Sequence, residues 1–371
     1  MLLILLVFAF LLSLIVDILI IKYSTKSGKM LDKDSINKPQ KMHFGDIPRA
    51  GGIGIFTSFC AFIVLFAIFG ILEMKYIALI IPAFFIFCSG ILEDFHSSIS
   101  PKVRLLLQSI GCICAIVIFE CVITDIGFSL PFAFAVIFTL FCIVGVTNAI
   151  NIIDGFNGLA SGCVILMLAS IAIVSFNVGN SDVFYISLII IASILGFFIL
   201  NFPKGKIFLG DGGAYLLGFL VAFLLIILTQ NPPAESLIYN SPTYESASQM
   251  QSLKNAIFKT KVSAYYGLCI AIYPVFEVLF SIWRRRKRKL QAMQPDCIHL
   301  HTLIYRRITR SNCKTSMMIW AIISPFVFLP VFFYDKTAIL LIFIAIFVIF
   351  YIYFYRRIAR FKLSKADNPK I

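Results

Sequence analysis

The chain has 371 residues, 60% of them hydrophobic and only 13% charged, with a formal net charge of +14. Soluble domains carry about 45–50% apolar and about 25% charged residues, so a single water-soluble domain is excluded and the chain reads as a polytopic membrane protein. A basic chain often binds nucleic acid, but here the Lys and Arg sit in short loops between apolar runs, where they set membrane orientation, and no nucleic-acid partner is expected.

A helix needs about 20 apolar residues to cross the hydrocarbon core. Eleven such runs are predicted, at 1–22, 51–72, 76–92, 104–123, 131–150, 158–176, 182–202, 213–230, 262–283, 316–334 and 336–355. The first lacks a basic leader and a small-residue cleavage site, and reads as a retained span. The runs are continuous and too long for the alternating strands of a barrel. The expected fold is therefore all-α, a transmembrane helical bundle without an internal repeat. One integral-membrane catalytic domain is expected over 1–355, followed by a basic cytoplasmic tail at 356–371. With the amino terminus outside and the carboxyl terminus inside, 27 of the 32 Lys and Arg fall on the inner side, which sets the orientation. The ten cysteines fall mostly within apolar runs, with no CxxC pair, and read as small buried residues.

The inner loops differ from ordinary turns: acids, amides, histidines and glycines gather at span ends on one side, where polar groups mark functional sites. The segment GDIPRAGGIGIF offers Pro48, Arg49, Gly51 and Gly52, a cluster that could let backbone approach a phosphate. After the third span, Glu93 and Asp94 form an acidic pair followed by Lys102 and Arg104, suited to a hard cation such as Mg²⁺ or to proton handling. A hydrated helix end with counter-ions is the plainer alternative. In NAINIIDGFNGLASG, a helical turn would bring Asn148, Asn151 and Asp154 roughly onto one face, and Asn157 lies in the glycine turn that follows. In NFPKGKIFLGDGGAYLLGF, Asp211 lies at a helix start whose N–H groups favour anions, with Lys204 and Lys206 near and Phe208 offering a stacking face. This loop suits a nucleotide diphosphate with its magnesium, Asp211 on the metal. The last inner loop carries a basic run at 284–289, read as an anchor on anionic lipid headgroups. It also holds His299 and His301 beside Asp296, placed to contact phosphate or move a proton.

Taken in order, PRAGG (48–52), the acidic pair with KVRLLLQ, NAINIIDGFNGLASG, FLGDGG (208–213) and PDCIHLH (295–301) resemble the polyprenyl-phosphate N-acetylhexosamine-1-phosphate transferase family, over residues 40 to 310. The resemblance implies an enzyme of the bacterial cytoplasmic membrane with its active site facing the cytoplasm. It would move a sugar-1-phosphate from a UDP-N-acetylhexosamine, GlcNAc or a relative, onto undecaprenyl phosphate and release UMP. It implies Mg²⁺ as cofactor, with Mn²⁺ as the alternative, held by Asp211 and Asp154, and it leaves a homodimer open. By the same resemblance Asn201 and Phe208 lie at the nucleotide, and Asn148, Asn151, Asp154 and Asn157 line the cleft. His299 and His301 hold the diphosphate or sugar, and Asp94, paired with Glu93, activates the acceptor. Four places depart from the family pattern. Glu93 and Glu277 stand where Asp is usual, Cys297 replaces an Arg, and His299-Leu-His301-Thr302 replaces a longer histidine run.

The acceptor is a phosphate monoester whose second pKa is about 6, so no strong base is needed and positioning should carry most of the catalysis. Direct attack on the β-phosphorus is expected, with a covalent Asp intermediate as the alternative. Two other classes compete: a lipid-linked transporter or flippase, whose polar groups would lie near the midplane in repeated halves, and a non-catalytic membrane scaffold.

Overall fold

The structure, a computed structural model, describes residues 1–28, 30–32, 46–96, 99–230, 261–287 and 298–360. Asp296, Cys297, Lys289, the loop at 231–260 and the tail beyond 360 lie outside the described residues.

Thirteen helices are described: α1 (Leu2–Ser27), α2 (Gly51–Ile68), α3 (Ile80–His96, entered through a 3₁₀ turn at Met74–Leu79), α4 (Pro101–Phe119), α5 (Phe132–Ile153), α6 (Leu159–Asn177), α7 (Ser181–Asn201), α8 (Gly210–Gln230), α9 (Ala264–Ile270), α10 (Ile272–Lys287), α11 (Leu300–Ile304), α12 (Asn312–Phe328) and α13 (Thr337–Arg360). Among the described residues, ten spans are long and apolar enough to cross a membrane, or eleven if the bent pair α9–α10 counts as one. The chain is thus a polytopic helical membrane protein. A ribbon of two-residue strands, β1 (Leu31–Asp32) and β2 (Ile47–Pro48), pairs antiparallel beside α2.

Local signals place the helix starts. Ser100 accepts the Val103 N–H at the head of α4, with Pro101 in the first turn, and Asn180 caps α7 through the Val183 N–H. The expected span at 262–283 is not one straight helix: it breaks at Ala271 and turns by 76°. Pro274, three residues into α10, has no N–H to bond back across the break. Beyond the bend α10 buries Tyr273, Glu277, Ser281 and Arg284 on one face. At about 1.5 Å per residue, the seven residues of α9 cover only a third of the hydrocarbon core.

The bundle closes around α8, which is buried along its length and contacts α2, α3, α5, α6, α7 and α9. Small residues make this possible, because backbones can approach closely where side chains are missing. A Cβ on Gly52 would lie 2.4 Å from the Gly213 nitrogen, one on Gly90 2.4 Å from the Gly212 nitrogen, and one on Gly218 2.7 Å from the Thr147 Cα. Each obstacle is backbone, which cannot step aside. The first turn of α2 and the last turns of α3 and α5 are therefore locked against the first three turns of α8. Gly52→Ala should destabilise the fold by about 1–3 kcal/mol. Thermal unfolding of the detergent-solubilised protein should show a clearly lower midpoint than for Gly145→Ala, whose surroundings are open and whose φ is not positive.

Candidate active site

The centre of the site is the amino-terminal turn of α8. Phe208 and Arg49 form a parallel bridge: the Phe208 N–H donates to Pro48 O (2.8 Å), and the Gly51 and Gly52 N–H groups donate to Phe208 O and Leu209 O (both 2.9 Å). This pairing brings segment 48–52 beside Asp211. The glycines serve that approach, since a Cβ on Gly51 would strike the Phe197 ring at 2.3 Å. They pack helix against helix, whereas the sequence suggested room for a phosphate.

Asp211 Oδ1 accepts hydrogen bonds from Arg49 Nη2 and Asn151 Nδ2, both at 3.0 Å, and its Oδ2 lies 3.6 Å from Arg104 Nη1. Arg49 also reaches Asp94 Oδ1 at 3.5 Å. Asp94 comes from the last turn of α3, and its two oxygens accept the N–H groups of Asp211 and Gly212, each at 3.0 Å. The start of α8, expected to attract an anionic ligand, is therefore already capped by a carboxylate from another helix. Gly210 is required there: it has φ 76°, and a Cβ would lie 2.6 Å from Asp94 Oδ2.

Asp154 follows the last residue of α5, just beyond the helix. Burial pushes its carboxyl up to about 7; Arg49 opposes the shift, while Asp211 and Asp94 add to it. The three acids therefore share one electrostatic environment. The next residue, Gly155, lies against His301, whose Nε2 is 3.6 Å from where its Cβ would stand. His301 also meets the Phe156 ring edge-on at 5.7 Å. The turn at 154–156 thus joins the acids to the histidines.

His299 and His301 stack with ring centroids 5.3 Å apart and planes 8° from parallel. His299 Nδ1 lies 2.9 Å from Glu277 Oε1, and His301 Nδ1 lies 3.1 Å from the Tyr273 hydroxyl. Burial pushes His301 down to about 3, with His299 lowering it further and Glu277 opposing. This imidazole is neutral at pH 7.

Other expected site residues have different partners. Glu93 Oε2 accepts the Ile99 N–H at 3.0 Å and ties down the loop after α3. Asn148 donates to Gln108 Oε1 and Val144 O, both at 2.8 Å, one turn deeper than Asn151. Asn201 is buried: its Oδ1 accepts the Gly158 N–H and its Nδ2 donates to Ile207 O at 2.7 Å. Asn157 donates to Pro203 O at 3.1 Å, while its own N–H bonds Asn312 Oδ1. These two amides fold the 201–207 turn onto the start of α6. Sequence reasoning missed Gln108, Tyr215 (3.5 Å from Arg104 Nη1), Tyr273 and Tyr351. The spacing of Arg104 and Gln108, i and i+4 within an apolar run, was the available signal for a polar face on α4. A separate cavity of about 270 Å³, lined by Asp125, Lys261, Asp335 and Thr337 among others, lies at the other end of the helices.

This arrangement can be set beside known proteins. The profile described as Glycosyl transferase family 4 matches residues 76–229, which hold Asp94, Asn151, Asp154 and Asp211. The chain belongs to this family. It is 33% identical over 270 residues to the probable undecaprenyl-phosphate N-acetylglucosaminyl 1-phosphate transferase of Bacillus subtilis, covering 71% of this chain and 66% of the relative. It is 26% identical over 293 residues to the undecaprenyl-phosphate alpha-N-acetylglucosaminyl 1-phosphate transferase of Escherichia coli, covering 73% and 69%. Against the phospho-N-acetylmuramoyl-pentapeptide-transferase of Streptococcus pneumoniae it is 32% identical over 152 residues, covering 38% of this chain and 47% of that one. The matched regions thus span from about half to about two thirds of these relatives. The sequence resemblance pointed to the same family.

Asp94→Ala should leave the Asp211 and Gly212 N–H groups without their acceptor, at about 1–3 kcal/mol for each group left buried. Asp94→Asn keeps one carbonyl oxygen and should lose roughly half as much. Thermal unfolding of the two variants checks this order; equal stability of Asp94→Ala and the parent chain would refute the cap.

Proposed function

We propose that the protein moves an N-acetylhexosamine-1-phosphate from a UDP-sugar to undecaprenyl phosphate, releasing UMP, as an initiating step of envelope polysaccharide synthesis. The observation that carries this reading is the gathering, around the single residue Asp211, of groups from α3, α4, α5 and the 48–52 segment at one end of an apolar bundle. A reaction between a water-soluble nucleotide and a lipid phosphate needs its polar centre at such a border. Two of the relatives named above are, by their names, undecaprenyl-phosphate N-acetylglucosaminyl 1-phosphate transferases and the third a phospho-N-acetylmuramoyl-pentapeptide-transferase, which supports the same class here.

Mg²⁺ fits the donor set. It takes hard oxygen ligands, and in phosphate-transfer sites it is held by one or two carboxylates with substrate phosphates and water completing the shell. Asp211 and Asp154 are two such carboxylates. Among the described residues no larger His/Cys/Asp/Glu cluster competes. Bound there, the ion would neutralise charge on the diphosphate. Arg49 and Arg104, both beside Asp211, are placed to take phosphate oxygens as the substrate enters. His299 and His301 meet the diphosphate or sugar from the other side of the 154–156 turn, and Phe208 offers its ring to the nucleotide base. An acceptor phosphate oxygen attacks the β-phosphorus, and the bond to the bridging oxygen breaks with its electron pair leaving on UMP. Asp94, with both oxygens on backbone N–H groups, acts by fixing Asp211.

Incubating purified protein with Mg²⁺, polyprenyl phosphate and a panel of UDP-sugars should release UMP only when lipid and metal are both present. Asp211→Asn should lower turnover on the order of 100-fold with a much smaller change in donor binding; near-normal turnover would refute the assignment. We further propose that the Asp211 end faces the cytoplasm of a bacterial cell, as the charge asymmetry requires. In a background without other reactive thiols, a membrane-impermeant maleimide added to intact cells should label Lys261→Cys and spare Lys204→Cys. The reverse pattern would invert the topology.

A further inference from the structure

The buried acid on α10 has no role in the reaction described so far. Glu277 is fully buried, and its hydrogen-bond partners are a backbone N–H, a hydroxyl and an imidazole. Its Oε1 lies 2.9 Å from His299 Nδ1 and 3.2 Å from the Leu300 N–H, and the Tyr351 hydroxyl donates to its Oε2 at 2.6 Å. A carboxyl surrounded in this way acts only as an acceptor, so it is ionised and His299 Nδ1 carries a hydrogen. A buried carboxylate needs a balancing positive charge. Of the groups bonded to it, His299 on the segment before α11 can supply one; Leu300 N–H and Tyr351 on α13 cannot.

His301 is held differently. Its Nδ1 is the one hydrogen-bond partner of the Tyr273 hydroxyl among the described residues. A buried hydroxyl hydrogen has to find an acceptor, so Tyr273 donates to Nδ1 and the ring's own hydrogen sits on Nε2. The burial that keeps His301 neutral agrees with this. The two rings are parallel neighbours, each gripped at Nδ1, and His301 turns Nε2 to the 154–156 turn.

We propose that Glu277 and Tyr273 are positioning residues that give the stacked histidines different hydrogens: His299 a cationic, ion-paired imidazolium, His301 a neutral Nε2–H donor. This deepens the transferase reading and rests on it for its purpose. A charged donor and a neutral donor side by side suit a diphosphate whose charge grows at one phosphate as UMP departs, since a charge-assisted hydrogen bond strengthens with the charge it meets. Two neutral rings would bind both phosphates alike.

The hydrogens can be read without any activity. In full-length protein labelled with ¹⁵N-histidine in detergent at pH 7, with signals assigned through His299→Gln and His301→Gln, His299 should show two protonated ring nitrogens and His301 a single one at Nε2. Glu277→Gln should convert His299 to a neutral ring, and Tyr273→Phe should scramble the His301 tautomer alone. Identical states for both rings in the parent protein would overturn the proposal. In the UMP-release assay, Glu277→Gln should lower kcat about tenfold or more while KM for the UDP-sugar shifts less than about threefold, and Glu277→Asp should recover part of the loss. A loss confined to KM, or none, would overturn the catalytic purpose. If no UDP-sugar supports turnover by the parent protein, the transfer reading falls while the NMR result still decides the hydrogens.

Discussion

The contact on which the site depends is the carboxylate of Asp94 on the first N–H groups of α8. A helix start leaves its first backbone donors without partners, and a start buried inside a bundle cannot turn to water for them. Asp94 supplies both acceptors from the end of α3, and the glycines at 52, 90, 212 and 213 let three backbones come close enough for it to reach. With that cap in place the Asp211 side chain is held away from its own backbone and toward Arg49, Asn151 and Arg104. Packing and chemistry are the same fact here: the residues that let α8 be central also aim its acid.

The bend at Ala271 does the equivalent work for the histidines. A straight span over 262–283 would carry Glu277 along the bundle wall. Turning by 76° brings the polar face of α10 beneath segment 298–304 instead. Tyr273 and Glu277 are one turn apart on α10, while His299 lies just before α11 and His301 in its first turn, so each ring meets one anchor. Tyr351 from α13 completes the Glu277 shell, which makes the last long helix part of the site's support although it lies far from the acids in sequence.

Much of this was legible before the fold was known. Apolar run lengths located every expected span except the broken one at 262–283 to within about five residues, because a helix crossing hydrocarbon leaves its pattern in composition alone. Arg49, Asp94, Asn151 and Asp211 were legible as polar residues at span ends, and the structure gathers them. Residue type failed where a side chain can serve backbone as readily as ligand. Asn201 read as a nucleotide contact and Asn157 as part of the cleft lining, yet both bond the 201–207 turn and its neighbours, as amides at helix breaks often do. The glycines of PRAGG read as room for phosphate, because their counterparts at 212 and 213 are distant in sequence. The bend was hidden because an apolar run looks the same straight or broken, and Pro274 alone does not decide it, since membrane helices tolerate proline.

What separates scaffold from chemistry in this site is which lone pairs and protons remain after the internal bonds are made. Asn201 has both ends of its amide engaged, and Asp94 gives both oxygens to backbone; such groups hold shape. Asp211 instead pairs with two arginines and an amide, all side chains that can be exchanged for a ligand without unfolding a turn. Among the described residues each histidine is gripped at Nδ1 only, and Asp154 stands just past a helix end between the acids and the rings. These are the groups with capacity left over. They come from separate loops, yet each is oriented by partners deeper in the bundle, so under the proposed transferase reading an entering phosphate would find dipoles and charges already set in direction.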